Sequence, residues 1–294
     1  MPYKDFGSWI KETLGEKVQK ISIDAGFSCP NRDGKVGIGG CTFCDNTTFS
    51  PSYCSGSKSV AEQLEEGKKF FRHKYPQMKY LAYFQSFSNT YGDLQHLKSL
   101  YEEALASDGI LGLVIGTRPD CISEELLDYL KTLAKRTFIL VEYGVESVND
   151  EVLKRVNRGH DFQCAVRAVE QTAKRGIFVG AHIILGLPGE DDDENIRGIR
   201  LLHEKGMTLL KLHQLQIIRG TQMAAEYAEK PFPLYTAEQY IETIIRYIKA
   251  LPHSIVYDRF VSQSPPGKVI APSWGLKNHE FANLLAKELI IDNG

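Results

Sequence analysis

The sequence of 294 residues has almost no net charge, few cysteines and no long apolar run. Its 35 Lys and Arg residues offset 37 Asp and Glu residues, so the net charge of −2 gives no overall attraction for polyanions. No apolar run approaches the roughly 18 residues of a membrane span, and residues 1–15 lack the apolar core of a secretory signal. The remaining composition is that of a folded globular chain, and we expect a cytoplasmic protein without a membrane segment.

Six cysteines are too few for a disulfide scaffold, and they are unevenly placed at Cys29, Cys41, Cys44, Cys54, Cys121 and Cys164. We interpret Cys121 and Cys164 as small core residues, because they fall in or beside predicted helices. The first three cysteines lie instead in a glycine-rich loop of poor core-forming composition, where the backbone can fold tightly around a bound group. This arrangement predicts a metal centre.

Different kinds of centre fit these thiols to different degrees. A structural zinc ion normally takes four ligands, and the nearby fourth thiol is Cys54. A thioredoxin-like redox pair explains Cys41 and Cys44 but leaves Cys29 without a role. A cubane of four irons held by three cysteines leaves one iron with an open position, and such a site performs chemistry. We interpret Cys29, Cys41 and Cys44 as cluster ligands, with zinc and a redox pair as the alternatives.

Apolar segments with the pattern of strands alternate with helical segments along most of the chain. The predicted strands are residues 17–26, 80–87, 110–115, 138–143, 178–185 and 209–218, and the predicted helices between them are 59–75, 93–107, 123–135, 150–156, 161–175 and 192–205. Such alternation with right-handed crossovers predicts an α/β fold, a partial (β/α)6 TIM-like barrel of parallel strands. Functional groups are then expected at the carboxyl ends of the strands, where the cysteine loop follows the first strand.

The pattern changes after residue 222, where prolines separate a helix at 236–250, a strand at 254–261 and a final helix at 278–291. We therefore predict a barrel core at residues 1–222. Residues 223–294 are predicted to form a C-terminal α/β extension that packs on this barrel.

Several motifs occur in a shared order and resemble those of the radical S-adenosylmethionine (SAM) superfamily. They are the cysteine loop ending in Phe43-Cys44, the segments 144–147 and 156–160 after the fourth strand, Gly-Leu-Pro-Gly at 186–189, and Ile-Arg-Gly-Thr at 218–221. The chain is most similar to the YtqA/YhcC-type branch, which is related to the catalytic subunit of Elongator, over residues 17–222. The resemblance implies an enzyme with a [4Fe-4S] cluster that cleaves SAM reductively to form a 5′-deoxyadenosyl radical.

The resemblance also implies roles for particular residues but identifies no catalytic side chain. The cluster would be held by Cys29, Cys41 and Cys44, with Phe43 against the adenine of SAM. Gln85, Ser86 and Ser88 would face the methionine ammonium, Glu146 and Arg158 would contact ribose and carboxylate, and Ile184 and Gly186 would form the adenine wall. This chain departs from the usual pattern in placing eleven residues between its first two cluster cysteines. It also carries Arg118 just after the third strand, as a substrate group or a salt-bridge partner.

Kinship with Elongator implies that the substrate is the side chain of a tRNA wobble uridine and that a donor such as flavodoxin or ferredoxin supplies the electron. A radical enzyme acting on a small metabolite and a non-catalytic zinc-binding adaptor are the alternatives. The inward-facing residues predicted on the fifth and sixth strands, His182, His213 and Gln214, are either core residues or polar contacts. Basic residues on helices form either a tRNA surface or solvated faces balanced by acids: Lys68, Lys69, Arg72, His73, Lys74, Lys131, Lys135, Arg136, Lys154 and Arg155.

Overall fold

The computed structural model describes residues 3–45, 51–72, 78–262, 264–265 and 267–291. The strands are β1 (Lys4–Asp5), β2 (Val18–Ile23), β3 (Lys79–Phe84), β4 (Ile110–Thr117), β5 (Phe138–Glu146), β6 (Phe178–Leu185), β7 (Leu209–Gln214), β8 (Ile217–Ile218), β9 (Val256–Arg259) and β10 (Val269–Ala271). The helices are α1 (Phe6–Leu14), α2 (Val60–Arg72), α3 (Leu94–Ala106), α4 (Glu124–Ala134), α5 (Asp150–Arg155), α6 (Phe162–Ala173), α7 (Asp192–Glu204), α8 (Gln222–Glu229), α9 (Ala237–Ala250) and α10 (Asn278–Ile291).

A parallel sheet of eight strands in the order β1-β9-β7-β6-β5-β4-β3-β2 forms the centre of the fold. The six strands β2 to β7 lie side by side in chain order, so the predicted α/β barrel core is confirmed. The sheet curls strongly, which brings its two edges close together. Lys20 on the edge strand β2 places its Nζ 2.7 Å from Oδ2 of Asp258 on β9, next to the other edge. The resulting partial barrel has an interior that is lined by alternate residues of each strand.

The C-terminal segment contributes directly to this sheet. Strand β9 pairs with β7 and in turn with β1, while α9 and α10 pack against each other on the main core. The boundary at residue 222 stays a prediction. Among the described residues, no helix has the length and apolar character that crossing a membrane requires.

Local signals explain why several element boundaries match the sequence prediction. Ser123 caps α4 as predicted, with its side chain accepting a hydrogen bond from the Leu126 amide. Helix α9 begins after Thr236, which forms a capping box with Gln239. The predicted strand at 209–218 is wrong as one element, because the chain leaves the sheet after Gln214 and then pairs β8 with β10. Strands β1 and β10 and helices α1 and α8 were not predicted from the sequence pattern.

Helix α1 closes the end of the barrel where the strands begin. Its Trp9 and Ile10 are buried against inward-facing residues of β3, β4 and β5, namely Leu81, Val114 and Leu140. Asp5 caps the helix by accepting from the Ser8 amide at 2.9 Å. The amino-terminal end of the barrel is therefore a packed apolar core, which leaves the other end for chemistry.

Candidate active site

A cavity opens at the carboxyl ends of the central strands, and all three predicted cluster ligands line it. Cys29 follows β2, while Cys41 and Cys44 arrive from the far end of the glycine-rich loop. The structure thus brings together three thiols that are spread over sixteen positions of the chain. Their assignment as ligands stays a prediction that this shared cavity supports.

Backbone hydrogen bonds fold the cysteine loop back on itself. The carbonyl of Cys29 accepts from the amides of Arg32 at 2.8 Å and Asp33 at 3.2 Å, which closes the first turn. Gly40 has φ of 86°, a left-handed conformation, and its amide donates to the Asn31 carbonyl at 2.8 Å. The Cys44 amide donates to the Cys41 carbonyl at 3.0 Å, so this pair shares one turn. The long spacer between the first two cysteines therefore forms a compact loop.

Cationic and amide donors surround the sulfur atoms. Arg158 Nη1 lies 3.5 Å and Asn31 Nδ2 3.6 Å from Cys41 Sγ, and Arg118 Nη1 lies 4.0 Å from Cys29 Sγ. Burial, followed by the neighbouring Cys41, raises the pKa of the Cys44 thiol to about 11. A thiolate at Cys44 therefore needs additional positive charge, which a metal centre supplies. The donor set and its surroundings fit an iron–sulfur cluster.

The described residues contain no set of three His, Cys, Asp or Glu side chains placed to hold a single metal ion. A cubane cluster makes a different demand, since each thiolate binds a different iron around a shared space. The other cysteines lie outside this cavity. The Cys54 thiol donates to the Ser22 carbonyl at 3.0 Å, while Cys121 and Cys164 each line a separate surface depression.

The end of β5 carries an irregularity that shapes the site. This strand has one extra residue relative to β6 between Gly144 and Glu146, and Glu146 adopts a left-handed φ of 72°. Its carboxylate Oε1 lies 3.7 Å from Arg158 Nη2. A Cβ atom at Gly144 would collide with this carboxylate and with the guanidinium, so a side chain there would force one or both groups to move. Such local strain is frequent at functional sites.

The same pair shows how burial and charge compete. Burial raises the pKa of the Glu146 carboxyl, and the nearby Arg158 and Arg118 oppose this effect. Burial alone would lower the pKa of Arg158, but Cys41 and Glu146 hold it above the usual value. Within the described part of the chain, the buried Arg158 Nε has no hydrogen-bond partner. This nitrogen therefore keeps a hydrogen-bond donor that the described residues do not use.

Most residues predicted to contact SAM border the cavity. Its lining includes Phe43, Gln85, Ser88, Glu146, Arg158 and Ile184. Ser86 and Gly186 adjoin lining residues in sequence but are not part of the lining itself. The Gly186 amide donates instead to Glu190 Oε2 at 3.1 Å. All of these contacts with SAM stay predictions.

Arg118 lies at the rim as a salt-bridge partner. Its Nε and Nη2 each lie 2.8 Å from a carboxylate oxygen of Asp120, and Nη2 also donates to the Arg158 carbonyl at 2.8 Å. It also lines the cavity. We infer that Arg118 holds the segment around Arg158 against the cysteine loop.

Sequence reasoning missed a layer of buried charges below the cysteines. Glu142 on β5 accepts from Lys20 at 3.0 Å and from Lys211 at 2.6 Å, and Lys211 lies 3.0 Å from Asp258. Burial alone would raise the pKa of Glu142, but the positive charges of Lys20 and Lys211 hold it well below its usual value. Glu142 and Lys211 each follow a run of apolar strand residues at an inward position, and such an isolated charge is the signal that could have revealed the layer.

The predicted inward-facing His182, His213 and Gln214 all line the cavity. His182 Nε2 lies 3.2 Å from Glu142 Oε2. Burial and then Lys211 lower the pKa of His182 to about 4, and burial and then Arg259 lower the pKa of His213 well below its usual value. Both imidazoles are therefore neutral near pH 7.

Among the described members of the basic set on the helices, two pair with acids. Lys68 pairs with Glu65 at 2.6 Å, and Arg136 pairs with Glu102 at 2.5 Å. His73 and Lys74 lie outside the described residues. The tRNA surface and the solvated faces therefore both stay predictions.

Comparison with known proteins agrees with this geometry. Residues 29–208 match a family model described as the radical SAM superfamily, and residues 207–290 match one described as the Radical_SAM C-terminal domain. YtqA of Bacillus subtilis is 33% identical over 98% of this chain and 89% of its own length.

More distant similarity extends to archaeal proteins. A tRNA uridine(34) acetyltransferase of Methanocaldococcus infernus is 29% identical over 60% of this chain, a match that spans 33% of that protein. The structure of Elp3 from the same organism superimposes with a TM-score of 0.70 at 17% identity, covering 94% of this chain and 63% of that one. This structural likeness shows a shared fold.

Proposed function

The chain belongs to the radical SAM superfamily, and from that premise we propose that it modifies the side chain of a tRNA wobble uridine. It is a radical SAM enzyme, and the family uses a [4Fe-4S] cluster together with SAM. The uridine substrate and an electron donor such as flavodoxin or ferredoxin are the parts that we propose.

The observation that carries the chemistry is the convergence of three thiols and an arginine on one cavity. Cys29, Cys41 and Cys44 would hold the cluster, and Arg158 donates toward Cys41 while its Nε has no other partner among the described residues. A cluster held by these thiols would lie beside Arg158, a donor for carboxylates, which would suit a ligand with an amino-acid end, as SAM has.

When bound, the cluster and SAM supply a 5′-deoxyadenosyl radical that abstracts hydrogen from an unactivated carbon. The chain itself must orient both partners and exclude water. The apolar core around Trp9 closes the far end of the barrel, and Phe43 and Ile184 provide apolar wall within the cavity. Glu146 and Arg158 are rigidly placed by their mutual pairing and by the β5 irregularity.

Similarity to a tRNA uridine(34) acetyltransferase supports tRNA uridine as the substrate class. The match spans 181 residues and 33% of that protein, and we propose that this chain modifies the uridine by radical chemistry. The cavity offers several polar side chains that can read a base edge, among them Gln214 and Gln216.

Anaerobic reconstitution tests the radical chemistry. The wild-type protein should bind iron and sulfide and release 5′-deoxyadenosine when reduced in the presence of SAM. Cys41→Ala should abolish both signals, whereas Cys164→Ala, which alters a cysteine outside the cavity, should retain both. Stoichiometric zinc without sulfide in the wild-type protein would instead support the adaptor function.

Nucleoside analysis tests the substrate. Mass spectrometry of tRNA from a deletion strain should show a wobble uridine that lacks a modification, and the plasmid-borne wild type should restore it while Cys41→Ala should not. Unchanged wobble uridines would contradict the tRNA proposal and leave a small metabolite as the alternative.

A further inference from the structure

Strand β9 contains an irregularity that turns two successive side chains into the barrel. Leu210 pairs with Tyr257 and Lys211 pairs with Arg259, so Asp258 is an extra residue on β9 relative to β7. Asp258 contacts Lys20 at 2.7 Å, and the Arg259 guanidinium lies 3.4 Å from Nε2 of His213. In a regular strand these two neighbours would face opposite sides of the sheet. Strand irregularities beside active sites often re-aim a side chain in this way.

The charges inside the barrel do not balance at this point. Lys20 and Lys211 are offset by Glu142 and Asp258, which they contact at 3.0 Å or less. Arg259 has no carboxylate within salt-bridge distance among the residues that the structure describes. Its Nε is buried there without a hydrogen-bond partner.

The groups that face Arg259 supply no negative charge. His213 and His182 are neutral near pH 7 because burial lowers their pKa values. The carboxylates of Glu142 and Asp258 already accept from the lysines. Arg259 is partly buried, and a buried nitrogen without a partner is costly because it has lost its hydrogen bond to water. A ligand with a negative charge would remove that cost.

Polar side chains fix the wall on which Arg259 lies. Gln214 Oε1 accepts from the Ser262 amide at 2.9 Å, and the Ser264 hydroxyl donates to Gln216 Oε1 at 2.8 Å. These bonds tie the chain after β9 to the end of β7, so the position of Arg259 is set before a ligand arrives. All of these residues line the same cavity as the cysteines.

We propose that Arg259 binds an anionic group of the substrate, a carboxylate or a phosphate, on the β7–β9 side of the cavity. The proposal rests on the proposed function, in which this cavity is the substrate chamber. A planar guanidinium can donate two parallel hydrogen bonds to either anion, which fixes orientation as well as charge. The anion would thereby hold the reacting part of the substrate at a set place in the barrel.

Calorimetric titration of the anaerobically reconstituted protein at constant ionic strength tests this site. Inorganic phosphate, acetate, uridine and uridine 5′-monophosphate serve as probes. Wild type should bind at least one anion at one site. Arg259→Gln should weaken that binding by about tenfold or more, since hydrogen bonds to charged groups are each worth about 1.5–3 kcal/mol. Arg259→Lys should restore part of the affinity, and Arg197→Gln, at an exposed position of α7, should leave it unchanged.

The probes also separate the two sources of charge. Uridine 5′-monophosphate that binds more tightly than uridine, with the difference lost in Arg259→Gln, supports a nucleotide phosphate. Binding of acetate that depends on Arg259 supports a carboxylate. Anion affinities equal in wild type and Arg259→Gln would overturn the proposal. A loss of SAM affinity in Arg259→Gln would also overturn it, by assigning Arg259 to the cofactor. Absence of SAM cleavage in wild type would contradict the proposed function alone, because the titration requires only folded protein.

Discussion

The two ends of the barrel interior are built on the same strands from opposite kinds of residue. Along β5 the inward-facing positions run from Phe138 and Leu140 to Glu142, Gly144 and Glu146. The first pair packs against α1, and the last three contribute to the cavity. The alternation of a strand therefore fixes which side chains face inward, while position along the strand determines whether they stabilise the fold or contact ligands.

The layer between these ends shares features of both. Glu142 and Lys211 are buried like core residues, and Lys20 and Asp258 are largely buried, yet all four are charged like site residues. This layer lies between the apolar core and the cavity, which Glu142 lines. Perturbing each level in turn should therefore affect stability and ligand binding in different proportions.

The largest effect on stability is expected at the apolar end. Trp9→Ala removes a ring that lies 5.1 Å from the Phe178 ring and 6.0 Å from the Phe138 ring, and should lower the free energy of unfolding by about 3–5 kcal/mol. Urea denaturation measures this loss, and Phe70→Ala, at a ring that is 62% exposed, should cost far less. Cluster content and SAM cleavage per folded molecule should be unchanged. A large loss of cleavage without a loss of stability would contradict the division between the two ends.

The charged layer should respond nearly as strongly. Glu142→Gln leaves Lys20 and Lys211 with less compensating charge, and should destabilise the protein by about 3 kcal/mol. Glu102→Gln removes an exposed partner of Arg136 and should cost less than about 1 kcal/mol. Equal effects of the two substitutions in denaturant melts would show that the buried pairs do not contribute as inferred.

His182 should make the stability depend on pH. Its pKa is lowered from 6.5 to about 4 in the folded protein, so below pH 6.5 the unfolded chain binds a proton that the folded chain does not. Stability should therefore fall between pH 6.5 and 4, by about 2–3 kcal/mol from this residue. His182→Asn should remove that part of the slope, and His279→Asn, at an exposed position, should not. Parallel wild-type and His182→Asn profiles would exclude this contribution.

The smallest effect is expected at the cofactor end, on binding. Gly144→Ala places a methyl group against the Glu146 carboxylate and the Arg158 guanidinium, and should weaken SAM binding about tenfold, or about 1.4 kcal/mol. Gly7→Ala, at an exposed position of α1, should leave SAM affinity unchanged. Equilibrium dialysis with labelled SAM measures both, and unaltered affinity in Gly144→Ala would remove the Glu146–Arg158 pair from the SAM site.

Much of the fold could be predicted because its elements carry strong local signals. The predicted strand 178–185 and helix 278–291 match β6 and α10 residue for residue, since each combines an apolar pattern with clear start and stop signals. Helix α1 has nine residues and buries only Trp9 and Ile10, so its place is set by the barrel end that it covers. Strand β1 is two residues long and exists through pairing with β9. Such tertiary effects leave little trace in a short segment of sequence.

The site divides in a similar way. The spacing of the cysteines and the order of the motifs pointed to one cavity, and the structure places those thiols on its wall. The inward turn of Arg259 was not predictable, because it depends on one unpaired residue in β9 and strand periodicity places Arg259 on the outer face. The left-handed φ of Glu146 has the same origin in a strand irregularity.

The apolar core around α1 also constrains the order in which ligands enter and leave the barrel. With the amino-terminal end filled by packed side chains, ligands exchange through the carboxyl-terminal end of the barrel. A molecule that seats deeper must arrive first and depart last. A macromolecular substrate bound over that opening would prevent the used cofactor from leaving until the modified product had dissociated. Product release would then limit the rate of each catalytic cycle.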